Sequence, residues 1–143
     1  MDRSCEWPLD NADSDEIERI LQTSRTLAVV GLSQKSYKDS HAVSQYMQSQ
    51  RYRIIPVNPN YEMILGERCF PNLAAIGEAI DIVNIFRRPD AVPSIVDEAI
   101  AISAKCVWMQ EGIVHNAAAK ARAAGLQVVM NKCILKEHQR RSR

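Results

Sequence analysis

Five short stretches of this 143-residue chain place hydrogen-bonding or charged side chains directly after an apolar run. They are Gly31-Leu32-Ser33-Gln34-Lys35, Asn58-Pro59-Asn60-Tyr61, Arg87-Arg88-Pro89, Gln110-Glu111-Gly112 and Asn131-Lys132-Cys133. Hydrogen-bond donors mixed with Lys and Arg suit an anion, phosphate above all. In the first stretch Gly31 lets a ligand or a neighbouring backbone come close. Ser33, Gln34 and Ser36 then offer donors, and Lys35 and Lys38 bring positive charge. Asp39 or Ser40 is placed to cap a following helix, whose first N–H groups and dipole favour a phosphate. Arg87 and Arg88 are the strongest charge signal, since guanidinium groups bind phosphate through paired hydrogen bonds. The competing reading is a surface pair neutralised by Asp90, Asp97 or Glu98.

No catalytic set accompanies these donors. His41, His115 and His138 stand in no recognisable pairing with a serine, cysteine or carboxylate. Neither HxxxH nor HExxH occurs, so no metal site is expected. Serines occupy positions 33 and 36, where GxGxxG would need glycine, and the second strand runs into Val57-Asn58-Pro59 without an acidic residue for a ribose. GxxxxGK[ST] is absent, which excludes a P-loop nucleotidase. Cys133, just past the last strand and beside Lys132, has the setting of a low-pKa thiol, although a buried, idle cysteine is the plainer reading.

Periodicity supplies the elements that must position these stretches. Asp13 or Ser14 caps a helix running to about Thr23, with Ile17, Ile20 and Leu21 on one face. Strands are expected at Leu27–Val30, Arg53–Val57, Ile82–Phe86, Cys106–Met109 and Leu126–Met130. Such short continuous apolar runs read as parallel strands buried on both faces. Helices are expected between them, at Ser40–Gln50, Pro71–Ala79, Ala91–Ser103 and Asn116–Ala124, the last stopped by Gly125 in a left-handed cap. Alternation of this kind specifies an α/β fold: a Rossmann-like three-layer sandwich around a five-stranded parallel sheet with right-handed crossovers. Ligands of such sheets sit at the carboxyl ends of the strands, where strand order reverses, and all five polar stretches fall there.

Residues 1–16 are expected to form an N-terminal arm and 17–143 the folded domain. No apolar run approaches a membrane span, and the acidic start does not resemble a signal peptide, so a cytoplasmic protein without a membrane partner is expected. Cys5, Cys69, Cys106 and Cys133 form no CxxC pair, consistent with reduced thiols in a reducing compartment. A net charge of +1 gives no global pull towards nucleic acid. The basic end, Lys132 to Arg143, reads as a solvated terminal helix or a frayed end.

Several segments together resemble the small, stand-alone CoA-binding domain family, which is similar to the N-terminal domain of the succinyl-CoA synthetase alpha subunit. They are Ala28-Val29-Val30-Gly31-Leu32-Ser33, Ile55-Pro56-Val57-Asn58-Pro59, Ile64-Leu65-Gly66-Glu67, Val83-Asn84-Ile85-Phe86-Arg87-Arg88, Val107-Trp108-Met109-Gln110-Glu111-Gly112-Ile113, and Ala124 to Cys133. The resemblance implies coenzyme A as ligand, with its phosphates held by Gly31, Leu32, Ser33 and Lys35, and with Lys38 keeping a charge where the family often has arginine. It places adenosine against Val57, Asn58 and Pro59. It assigns the rest of the site to Phe86, Arg87 and Arg88 and to Met109, Gln110 and Glu111. Lys132 similarly stands where the family usually has arginine. The implied function is binding of CoA or an acyl-CoA without catalysis of its own. The alternatives are an NAD(P)-dependent oxidoreductase, or a thiol-redox protein forming a CoA mixed disulfide through Cys133 or another thiol.

Overall fold

A computed structural model describes residues 11–142; residues 1–10 of the expected arm, Cys5 among them, lie outside the described residues. Helix α1 (Ser14–Thr23) starts where its cap requires, the Asp13 carboxylate accepting from the Glu16 N–H. Strand β1 (Thr26–Val30) follows, then α2 (Asp39–Ser49), β2 (Arg53–Val57), a two-residue pair β3 (Met63–Ile64) and β4 (Glu67–Arg68), and β5 (Ile82–Ile85). The chain ends through α3 (Val92–Ala101), β6 (Cys106–Met109), α4 (Ala117–Ala123), β7 (Gln127–Val129) and α5 (Ile134–Arg141).

The main sheet has the order β2-β1-β5-β6-β7, and every pairing in it is parallel. Alternate side chains leave opposite faces of each strand. Ala28, Val30, Val83, Ile85, Val107 and Met109 join one buried cluster with α3 and α4. Leu27, Val29, Ile82, Cys106 and Trp108 join another with α1, α2 and α5. These are the three layers expected from the apolar runs.

Local differences have local causes. The helix expected over 71–79 shrinks to a 3-10 turn at Leu73–Ala75, capped by Asn72 and stopped where Gly77 takes φ +72°. The β3–β4 hairpin was not foreseen. Leu65 and Gly66 both have positive φ in its turn, and leucine is an unusual residue there. The expected side-chain cap of α2 is missing: Lys38 stands at its N-cap without a capping bond, while the Ser40 hydroxyl accepts from the Ser33 N–H at 3.0 Å.

The basic end is not a frayed tail. Ile134 and Glu137 of α5 are buried, Arg141 donates to Glu137 at 2.9 Å and to the Ser14 hydroxyl at 2.8 Å, and His138 Nδ1 lies 2.8 Å from the Tyr46 hydroxyl. Burial holds His138 below its ordinary pKa. The unfolded chain therefore takes up a proton first, so this group's contribution to stability is complete above the ordinary histidine value and lost as pH falls through it. The urea midpoint should drop between about pH 7 and pH 5.5, by a larger amount in the native chain than in His138→Gln. Equal drops would show that His138 has no part in it.

Candidate functional site

The two central strands, β1 and β5, define the place where the sheet changes direction. The connection after β1 leads to α2 on one face, and that after β5 leads to α3 on the other, so their loops part and open a crevice. Gly31 sits at that point with φ +92°. A Cβ there would meet the Phe86 carbonyl oxygen at 2.6 Å and Arg87 Cδ at 2.9 Å. Its missing side chain thus admits a neighbouring backbone, which brings the first and third polar loops together. The Gly31 N–H donates to the Val57 carbonyl (3.0 Å), and Phe86 N–H to that of Val30 (2.9 Å). Asn58 Nδ2 donates to the Leu32 carbonyl at 3.0 Å, which ties in the second loop.

The first loop is folded on itself, Lys35 N–H donating to the Ser33 hydroxyl at 3.1 Å. Lys35 and Lys38 are exposed, and no carboxylate among the described residues pairs with either. Arg87 is equally unpaired among them. Of the three carboxylates that might have neutralised it, Asp97 pairs with Lys120 at 2.6 Å, Glu98 accepts from the Leu73 N–H, and Asp90 approaches Arg88 at 3.9 Å. One uncommitted guanidinium therefore stands beside the Gly31 turn.

Arg87 also borders two hollows. One, of about 190 Å³, lies on the α3 side and includes Val30, Val57, Pro59, Leu73, Ile95 and Glu98 in its wall. The other, of about 510 Å³, lies on the α2 and α5 side and is bordered by Phe86, Arg88, Gln110, Glu111, Cys133 and Lys136. The expected site residues divide accordingly. Val57, Pro59, Phe86, Arg87, Arg88, Gln110 and Glu111 reach one or both hollows; Ser33, Lys35, Lys38 and Asn58 line neither but belong to the adjoining loops. Leu32 and Met109 are wholly inside the core and line neither hollow. Glu111 is held by Lys136 at 3.0 Å.

Cys69, Cys106 and Cys133 are all buried and unbridged, and burial pushes the Cys69 thiol up and that of Cys106 much further. Among the described residues no group of His, Cys, Asp and Glu is arranged to hold a metal. No helix in this region is long and apolar enough to cross a membrane.

Further residues at the hollows are Ser94 and Glu98 on α3, where the sequence offers Glu98 only as a partner for the arginines, and Lys136 on α5, within the end read as a solvated basic segment. Asn84 had a visible signal, a lone amide inside an apolar strand. It is buried and donates to Gln110 Oε1 at 3.0 Å, and the same oxygen accepts from the Ile134 N–H at 3.0 Å. Gln110 thereby fixes the start of α5 against the sheet. Gln110→Leu should cost about 2 kcal/mol, because it strands buried donors; a urea midpoint equal to that of the native chain would refute this role.

Such a crevice, at the switch point of a doubly wound parallel sheet, marks an α/β domain of the Rossmann kind. A sequence model of the CoA binding domain matches residues 25–139. The chain belongs to that family. It is 40% identical over 131 residues to the uncharacterized protein YneT of Bacillus subtilis, covering 91% of this chain and 97% of that one. A hypothetical protein from Pyrococcus horikoshii OT3 has the same fold with TM-score 0.88 and 36% identity, over 93% of this chain and 94% of that one. An ADP-forming acetate–CoA ligase of Archaeoglobus fulgidus is 30% identical over 74 residues, 52% of this chain but 11% of the ligase.

Proposed function

We propose that this protein binds coenzyme A or an acyl-CoA across the carboxyl edge of its sheet, without catalysis of its own. The diphosphate lies at the Gly31 turn, between the Ser33–Lys38 loop and Arg87. Adenosine occupies the smaller hollow against Val57 and Pro59, and the pantetheine arm runs along the larger one past Gln110 towards Cys133. The observation that carries this reading is the position of Arg87, unpaired among the described residues, bordering hollows on both faces of the sheet beside the glycine turn. A ligand with a charged middle and two dissimilar ends suits that arrangement.

A nicotinamide cofactor is less well served. Asn58 follows β2, and its Nδ2 and Oδ1 are engaged by Leu32 and Asn60, so the acidic group that usually holds the adenosine ribose has no substitute there. Calorimetric titration with CoA, acetyl-CoA and NADH tests both readings. Saturable binding of the CoA compounds with little response to NADH is expected. Neither heat nor a thermal shift with CoA at about 1 mM, a concentration corresponding to barely 4 kcal/mol of binding, would overturn the proposal.

A further inference from the structure

The smaller hollow carries more information than its apolar walls. Besides Arg87, three polar side chains line it, and each has one atom already committed. Glu98 Oε1 accepts from the Leu73 N–H at 3.1 Å, Asn72 Oδ1 accepts from the Ala75 N–H at 3.0 Å, and the Ser94 hydroxyl donates to the Ala91 carbonyl at 3.1 Å. What remains for an occupant is a carboxylate oxygen of Glu98, unpartnered among the described residues, and the donor end of the Asn72 amide. Val30, Val57, Pro59, Pro71 and Ile95 supply flat apolar surface around them.

This pairing of one strong acceptor with one donor matches a particular base edge. On the edge that carries N7, adenine presents an exocyclic amine that can only donate beside a ring nitrogen that can only accept. On that same edge hypoxanthine and guanine present two acceptors, so their carbonyl oxygen would face the carboxylate with no proton between them; their N1–H lies on the other edge. We propose that Glu98 is the residue that makes this site specific for adenine, its free oxygen accepting from the exocyclic amine. The inference rests on the CoA reading and adds to it: the phosphate and pantetheine contacts described above do not distinguish one purine from another.

The test compares CoA with its hypoxanthine analogue, in which the amine is replaced by a carbonyl oxygen, by calorimetry on the full chain. The native protein should bind CoA about tenfold or more tightly than the analogue, as expected when a mismatched base leaves a polar group unpaired. In Glu98→Gln the amide oxygen can still accept from Leu73 N–H, so the α3 contact is kept, while the amide nitrogen donates where the carboxylate accepted. The preference should then shrink to near parity or reverse. Equal affinities in the native protein would overturn the inference while leaving CoA binding intact, as would undiminished discrimination in a Glu98→Gln chain with native circular dichroism. If that variant fails to fold, the native comparison decides alone. If neither compound binds, the CoA reading fails and this inference falls with it.

Discussion

Gly31→Ala should lower the stability of the protein by about 3 kcal/mol and abolish CoA binding in the same step, because two separate costs coincide at that residue. The backbone of Gly31 is left-handed at φ +92°, which costs a residue with a side chain about 1–3 kcal/mol. The added methyl would also sit 2.6 Å from the Phe86 carbonyl oxygen. That oxygen cannot easily retreat, since the Phe86 N–H is bonded to the Val30 carbonyl in the neighbouring strand. Relief must come by parting β1 from β5 at their ends, where the phosphate is proposed to lie. Gly125→Ala provides the comparison: Gly125 has φ +94° but nothing within 4 Å of its added Cβ. It should lose the conformational part alone, about 1 kcal/mol. Urea midpoints of the two variants measure the difference, and equal losses would show that Gly31 is not a point of close approach.

Arg87→Ala should weaken CoA binding about thirtyfold to a hundredfold and leave stability within about 0.5 kcal/mol of native. The two effects separate because Arg87 is exposed and pairs with no carboxylate among the described residues, so the fold asks nothing of its charge. Arg87→Lys should recover only part of the affinity, keeping the charge but not the bidentate donor pair. Arg88→Ala should cost far less. Its side chain is 89% exposed and already near Asp90, so little of its interaction with a phosphate would be shielded from water. Raising the salt concentration should narrow the gap between native and Arg87→Ala proteins, as screening removes the charge–charge part. Equal losses at positions 87 and 88 would mean that Arg87, although it borders both hollows, has no special part in holding CoA.

The strands were legible because each is buried on both faces over most of its length and is therefore written as a mainly apolar run. The helices were legible where one face was apolar, as in α1 with Ile17, Ile20 and Leu21. Legibility failed in the shorter connections. A 3-10 turn needs too few residues to show a period, and Leu65 hides a hairpin turn that asparagine would have announced. The C-terminal helix looked like a solvated basic tail because its charges hide how it docks: Ile134 is buried in the core, Arg141 neutralises the buried Glu137, and Arg141 also reaches Ser14 at the other end of the chain.

By itself, then, the amino-acid order determined the α/β alternation, the five apolar strands and the loops at their ends that bear Ser, Asn, Lys and Arg. Those features are local, since strand burial and loop polarity are recorded residue by residue. Tertiary structure alone decided which of the loop cations lack a carboxylate partner among the described residues, that Gly31 lies against Phe86, and that Glu98 and Ser94 of α3 share a wall with Pro59. Each of these depends on strand order and on which face a helix covers, and both are settled by packing between segments distant in the chain.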